Sequence, residues 1–177
     1  AGRLGLGAAA LRAEHPRLVV CDISGYGDGG PFTTMKAYDL MVQSEAGLVS
    51  VTGAPDEPAK VGISVSDIAA GMYAYSGVLA ALLERGRTGQ GGVVDVSMLE
   101  SSLVAMGWAV SNWLIAGVKP QPMGNENMTA SPSGTSRTGR GLLNIAANKQ
   151  DQFETLCRLI GRDELASDPR FAEREER

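Results

Sequence analysis

Histidine and cysteine, the residues that most often bind zinc, are scarce in this chain. Its 177 residues include one histidine, His15, and two cysteines, Cys21 and Cys157, which lie far apart in apolar stretches. Zinc sites in proteins are built mainly from clustered Cys and His, so this scarcity argues against a zinc site. We expect both cysteines to be reduced, buried thiols and not a disulfide.

Basic residues are also too few for a protein that binds nucleic acid. The chain has 16 Lys and Arg against 20 Asp and Glu, and its net charge is −4. Such a chain has little attraction for phosphate backbones or for anionic membrane surfaces. Its apolar stretches carry charge or glycine before they reach membrane-spanning length, and it begins without the pattern of a secretory signal. We therefore expect a cytoplasmic protein with neither a nucleic-acid nor a membrane partner.

Predicted strands alternate with long apolar helices, a pattern that favours an α/β fold. Hydrophobic residues make up 44% of the chain, enough for a sizeable core. The main predicted elements are strands over 17–24 and 93–98, short helices over 8–15 and 38–46, and long helices over 67–85 and 99–115. The two long helices are apolar on nearly every side, so we expect them to be buried. Ser64 or Ser66 is expected to cap the first of them.

The last third of the chain has the pattern of a smaller unit. Its predicted elements are a loop over 124–141, a strand over 142–148, a helix over 150–160 and a helical turn over 163–166. We therefore predict one unit over 1–118 and a second over 119–177.

The stretch "CDISGYGDGGPF" (21–32) raises the question of a dinucleotide site, because Gly25, Gly27 and Gly30 fit the spacing G-x-G-x-x-G after a predicted strand. That site requires a helix to begin directly after the glycines, so that its N-terminus meets the pyrophosphate. Here Pro31 and two threonines follow, and no helical pattern begins before Tyr38. The motif therefore fails the structural test for a nicotinamide-binding fingerprint.

The order of segments resembles the class III coenzyme A transferases, the CaiB/BaiF family that includes formyl-CoA transferase. The resemblance is carried by "SGYGDGGP" (24–31), "KAYDLMVQSEAGLVSVTG" (36–53), the long stretch 60–101 and "GLLNIAANKQDQFETLCRLIG" (141–161) with "ELASDPRF" (164–171). It implies a Rossmann-like large domain over 1–118, followed by a linker and the start of a small α+β domain over 119–177. It also implies an intertwined dimer, and that this chain is an internal part of a longer protein.

Asp67, in "SDIAAG", matches the aspartate that is the catalytic residue of this family. Taken alone, an aspartate in a first helical turn also fits a role in stabilising the helix dipole. The resemblance implies that Asp67 is a nucleophile that forms an acyl anhydride and then an aspartyl-CoA thioester. No cofactor is then bound permanently, because coenzyme A and acyl-CoA are substrates.

Lys36 and Tyr38 match a Lys-x-Tyr that lies near coenzyme A in formyl-CoA transferase. Without the resemblance both would be ordinary surface residues. Tyr38 also bears on the type of reaction, because the related α-methylacyl-CoA racemases carry a histidine at this place. The tyrosine therefore favours a transferase over a racemase.

The acceptor is expected to be a short dicarboxylate. Formyl-CoA transferase has consecutive glycines in its active-site loop, whereas "GNENMTASPSGTSRT" (124–138) has none. Arg140, Asn125 and Asn127 are weaker candidates for the acceptor site, since turn and loop polarity also explains them. Two alternatives stay open: a racemase-like acid/base enzyme, and a non-catalytic fragment or subunit that contributes dimer contacts.

Overall fold

The computed structural model describes residues 1–174 and 177. They form two compact units, one of Ala1–Gly53 with Pro58–Gln121 and the other of Ala54–Glu57 with Pro122–Arg177. The assignment of 1–118 and 119–177 to the large and small domains of a family stays a prediction.

Up to residue 116, the elements follow the predicted order of helices and strands. They are α1 Ala8–Glu14, β1 Val20–Ser24, α2 Asp39–Glu45, β2 Gly53–Ala54, β3 Glu57–Pro58, α3 Val65–Thr88, β4 Val93–Ser97, α4 Met98–Met106 and α5 Trp108–Ala116. Short 3-10 turns lie at Gly2–Leu4 and Val49–Val51. Strands β2 and β3 pair with each other over residues 53–58.

Strands β1 and β4 form a parallel pair, in register from Val20 opposite Val93 to Ser24 opposite Ser97. Parallel strands need a long crossover, and here it contains α3, which packs on both strands. This arrangement confirms the predicted α/β fold. It also brings the carboxyl ends of both strands to one edge, where ligands bind in open α/β sheets.

The core of this unit lies where α2, α3 and α4 meet the sheet. Its buried members are Val42, Ala70, Ala74, Val96 and Met98. The two alanines leave room for α2 and α4 to approach the α3 backbone. Three small residues of α3, Ser66, Ala70 and Ala74, therefore face the interior of the unit.

The prediction that the long helices are buried is wrong for this chain. In α3 only Ser66, Ala70 and Ala74 are buried, whereas most of the large apolar side chains on the helix are exposed, Leu83 by 75%. The sequence of α3 is apolar on all sides of the helix, which is typical of a helix packed on every side. The other elements of this chain pack against only one side of α3. We also expected no apolar stretch of membrane-spanning length. That expectation is wrong, because α3 is long and apolar enough to cross a membrane. A core helix of a soluble protein passes the same test.

The predicted second long helix is in fact two helices. Gly107 separates α4 from α5 with φ 49° and ψ −112°, a conformation that side-chain-bearing residues rarely adopt. The residues on both sides of Gly107 are apolar, so the hydrophobic pattern continues across it. A hydrophobic pattern does not show that one residue has a positive φ, and the break was therefore not predicted.

The second unit is a β-hairpin followed by a helix. Its elements are β5 Ser133–Thr138, β6 Gly141–Ala146, α6 Gln150–Leu159 and 3-10 turns at Asp163–Ser167 and Pro169–Phe171. The prediction of a loop over the whole of 124–141 is wrong, because β5 lies within it and pairs antiparallel with β6. The Thr135 hydroxyl and the Asn144 amide oxygen lie 2.7 Å apart across the pair. The polar sequence of β5 lacks the apolar alternation that would have revealed a strand.

Both cysteines are free thiols, as predicted. Cys157 is buried on α6, whereas Cys21 in β1 is only half-buried and not fully buried as predicted. Burial raises the pKa of the Cys21 thiol, and the Asp22 and Asp95 carboxylates raise it further. This thiol is therefore a poor nucleophile at neutral pH.

Candidate active site

The glycine-rich loop leaves β1 at the carboxyl edge of the sheet and contacts the start of α4. The Leu99 N–H donates to the Gly25 carbonyl at 3.0 Å, and the Gly27 N–H donates to the Ser24 hydroxyl at 3.0 Å. A side chain at Gly25 would collide with the Ala37 methyl group. The loop is therefore held against the segment that leads into α2.

This geometry differs from that of a dinucleotide site. After Gly30 the chain makes a turn and an extended stretch, and the next helix begins only at Asp39. All residues between these two points are described by the structure. The helix N-terminus that a pyrophosphate requires does not follow the glycines.

Asp67 lies in the first turn of α3, where the unpaired backbone N–H groups of the helix favour negative charge. Its side chain is exposed, whereas Ser66 and Ala70 beside it are buried. Within the described residues, the Asp67 carboxylate has neither a hydrogen-bond nor an ion-pair partner. An exposed and unengaged carboxylate on a buried helix turn can attack an electrophile.

The cap of α3 comes from α2 and not from the serines proposed for it. Ser64 is the N-cap residue, but its side chain makes no capping hydrogen bond. Instead, the Ser66 N–H donates to the Asp39 carboxylate at 2.9 Å. The Ser66 hydroxyl lies 2.9 Å from that of Ser102 on α4, so it is engaged in the interior.

Gln43 adds a second connection between α2 and the start of α3. Its side chain is fully buried. The amide nitrogen donates to the Asp39 carboxylate at 2.6 Å, and the amide oxygen accepts from the Val61 N–H at 2.8 Å. Two side chains of α2 therefore hold the chain on both sides of the α3 N-terminus.

These contacts bring two of the predicted site segments together. Tyr38 immediately precedes Asp39, and Asp67 immediately follows Ser66, so the bond between Asp39 and Ser66 joins the two segments. Tyr38 is 71% exposed at the N-cap of α2. Lys36 is exposed in the stretch before it. Contact of Lys36 and Tyr38 with coenzyme A stays a prediction.

The weaker candidates lie in the second unit, where the structure gives two of them local roles. The Asn127 amide oxygen accepts from both the backbone N–H and the hydroxyl of Thr129 at 2.8 Å. Arg140 lies in the exposed turn between β5 and β6, and its backbone N–H donates to the Thr138 hydroxyl at 3.2 Å. These bonds stabilise the loop and the turn, and a role of these side chains in the acceptor site stays a prediction.

Sequence reasoning missed Asp39 and Gln43. They are four residues apart and lie on one face of α2. The available signal was the position of Asp39 directly after Tyr38, together with a helix too short to be stable without tertiary contacts.

Comparison with known proteins gives one consistent family. The family model described as CoA-transferase family III matches residues 1–177. The chain is 36% identical over 171 residues to the succinate–glutarate CoA-transferase of Agrobacterium fabrum, covering 96% of this chain and 43% of that protein. It is 36% identical over 177 residues to the acetyl-CoA:oxalate CoA-transferase of Acetobacter aceti, covering 99% and 46%.

Solved structures agree with the sequence comparison. A CAIB/BAIF family protein from Brucella suis matches with a TM-score of 0.84 at 35% identity, over 99% of this chain and 47% of that one. Rv3272 from Mycobacterium tuberculosis matches with a TM-score of 0.85 at 32% identity, over 99% and 46%. The chain thus spans less than half the length of each of these relatives.

Proposed function

The chain belongs to CoA-transferase family III, and from this premise we propose that its protein transfers coenzyme A from an acyl-CoA donor to a short dicarboxylic acid. The match of the family model over the whole chain carries this proposal. The names of similar proteins support the acceptor class, since they include succinate, glutarate and oxalate. The exchange of one thioester for another is nearly isoenergetic, so the reaction needs no ATP.

Asp67 is the proposed nucleophile. Its carboxylate oxygen attacks the carbonyl carbon of the donor thioester, the C–S bond breaks, and coenzyme A leaves as the thiolate. The product is a mixed anhydride of Asp67 and the donor acid. The thiolate then attacks the Asp67 carbonyl carbon and releases the donor carboxylate, which leaves an aspartyl-CoA thioester.

The second half of the proposed cycle reverses these steps with the acceptor. The acceptor carboxylate attacks the aspartyl thioester and releases the thiolate, and a new mixed anhydride forms. The thiolate attacks the acceptor's carbonyl carbon, and Asp67 leaves as the carboxylate. Charge is conserved throughout without a proton transfer, so no general base is required.

The residues around Asp67 suit this chemistry. The α3 N-terminus stabilises the carboxylate both as nucleophile and as leaving group. Each step also places negative charge on a carbonyl oxygen, which requires nearby N–H donors. We assign that role to backbone N–H groups of the glycine-rich loop over 25–30, and contact with coenzyme A to Lys36 and Tyr38.

The exposed apolar faces support a larger assembly. Leu83 on α3 and Ile115 on α5 are 75% and 86% exposed in this chain. Faces of this kind are normally covered in a stable protein. We propose that the rest of the protein and a second, intertwined copy cover them, and that the dimer is cytoplasmic.

Trapping of the acyl-enzyme tests the proposal. The complete protein is incubated with succinyl-CoA, quenched with hydroxylamine and digested for peptide mass spectrometry. The expected product is a hydroxamate on Asp67, absent from an Asp67→Asn variant. A folded wild-type protein that carries no modification there, after a panel of acyl-CoA donors, would contradict the proposed function.

A further inference from the structure

Gln43 has the largest of the fully buried side chains. A buried primary amide must satisfy one oxygen and two N–H groups, or folding is penalised. Here the oxygen accepts from the Val61 N–H at 2.8 Å, and the nitrogen donates to Asp39 at 2.6 Å. The same nitrogen lies 3.4 Å from the Ile63 carbonyl, a longer contact that takes the second N–H. The oxygen and both N–H groups of the amide therefore have hydrogen-bond partners.

These partners concentrate on one short segment. Val61 and Ile63 lie in the non-helical stretch that leads into α3, and Ser66, in the first turn, is held by Asp39. Gln43 orients the Asp39 carboxylate and also fixes the path of the chain before the helix. Both effects converge on the position of Asp67, the residue after Ser66.

We propose that Gln43 is a positioning residue for Asp67, which sets where the carboxylate lies by binding the segment before α3 and the Asp39 cap. This inference rests on the proposed function, because it concerns the geometry of a nucleophile. Val42, Ala70 and Ala74 belong to one buried apolar cluster, which already holds α2 on α3. Apolar contacts allow several relative orientations, whereas the hydrogen bonds of the buried amide fix one, as satisfied polar networks in cores do.

Replacement of Gln43 by leucine or methionine tests the proposal in the complete protein. Both side chains are close to glutamine in size but have no amide, so they preserve the apolar packing and remove the three polar contacts. We expect the single-turnover rate of Asp67 acylation to fall by about 10- to 100-fold, because a small misplacement of a reacting group has costs of that order. The KM for acyl-CoA should change little, since Gln43 does not touch the substrate.

Gln152→Leu is the matched control. The Gln152 amide oxygen accepts from the Lys149 N–H at 3.0 Å at the start of α6. The variant therefore also loses a bond between a glutamine side chain and the backbone before a helix. Its acylation rate should equal that of the wild type. An equal fall in both variants would overturn the proposal.

Gln43→Glu provides a readout that a general loss of stability would not give. The introduced carboxyl group would face the Asp39 carboxylate, and two such neighbouring carboxylates cannot both be ionised without strong repulsion. The pair shares one proton at low pH, and the introduced carboxyl group then donates to Asp39 and accepts from Val61. The upper pKa of the pair is raised, so the restored bond is present below that pKa and is lost as pH rises through it.

The acylation rate of Gln43→Glu relative to wild type should therefore rise as pH falls from about 8 to about 5, within the range that raised carboxyl pKa values reach. Charged groups near this segment include Lys60, whose ammonium lies 3.4 Å from the Val61 carbonyl, and Asp67 itself. Both are common to the two proteins, so the ratio of rates removes their titration. Circular dichroism at each pH ensures that only folded protein is compared.

The outcomes separate the two proposals. A wild-type protein without Asp67 acylation contradicts the proposed function and, with it, this inference. A wild type that acylates, together with folded Gln43→Leu and Gln43→Met variants that acylate at the same rate, overturns the inference alone. If the apolar variants fail to fold, Gln43→Glu decides: a ratio independent of pH overturns the inference.

Discussion

The Ser66 N–H donates to the Asp39 carboxylate at 2.9 Å, across a separation of 27 residues. The helix that carries Asp67 is thus capped by a side chain of another helix and not by its own N-cap residue. A carboxylate in this place satisfies an otherwise unpaired N–H and opposes the positive end of the helix dipole. Helix α2 therefore stabilises the turn on which Asp67 lies.

Removal of the cap should loosen that turn. In Asp39→Ala, the Ser66 N–H loses its acceptor, and loss of a capping side chain costs about 1 kcal/mol. We expect the Ser66 amide of the complete protein to exchange with deuterium about fivefold faster, since that is the factor about 1 kcal/mol represents. Asp39→Asn keeps an acceptor oxygen and should exchange more slowly than Asp39→Ala. Equal exchange in wild type and Asp39→Ala would show that the cap contributes nothing.

Gly25 and Ala37 should behave as a complementary pair. A methyl group at Gly25 meets the Ala37 side chain, so Gly25→Ala is expected to destabilise the protein by about 1–3 kcal/mol through overpacking. Ala37→Gly removes the opposing methyl group. The double variant should therefore recover most of the loss in a double-mutant cycle of thermal unfolding. Additive effects of the two substitutions would contradict the close packing of the loop.

Local sequence signals located the main elements well. The helix predicted over 8–15 is Ala8–Glu14, and the helix predicted over 67–85 is Val65–Thr88. Proline and glycine mark the ends of these segments. The predictions that were wrong concern elements that depend on other parts of the chain. Strand β5, for example, is polar and is stabilised by its pairing with β6.

The candidate site shows the same division. Asp67, Lys36 and Tyr38 came from motifs that can be recognised in a single stretch of sequence. Asp39 and Gln43 act through partners on a different helix and its preceding segment, so their role depends on packing that a single stretch of sequence does not contain. A glutamine within a helix has the pattern of a surface residue until the packing is known.

The pair of Asp168 and Arg170 allows a test of the second unit by pH. Asp168 accepts from the Arg170 side chain and backbone, and these bonds lower the pKa of Asp168 to about 2. A lowered pKa means that the stabilising effect is complete at neutral pH and is lost as pH falls below about 4 and through about 2. Arg170→Ala should raise the Asp168 pKa, because the backbone bond alone then remains.

Carboxyl-carbon NMR titration of the complete protein measures that pKa. Arg162→Ala is the matched control, because Arg162 pairs with Glu164 elsewhere in the same unit. It should leave the titration of Asp168 unchanged while the Glu164 pKa rises from its lowered value. An Asp168 titration that does not move in Arg170→Ala would refute the assigned cause.

Tyr38 separates transfer from racemisation. An imidazole exchanges protons near neutral pH, whereas a phenol keeps its proton there, so a tyrosine is poorly suited to remove an α-proton. The complete protein, incubated in deuterium oxide with a 2-methylacyl-CoA, should incorporate no deuterium at the α-carbon. Under the same conditions with a dicarboxylate acceptor it should exchange coenzyme A. Tyr38→Phe should raise the KM for acyl-CoA through the lost contact with coenzyme A, but it should not abolish that transfer, because no proton moves in the proposed cycle. Wash-in of deuterium by the wild type that is lost in Tyr38→Phe would instead assign the protein to acid/base chemistry.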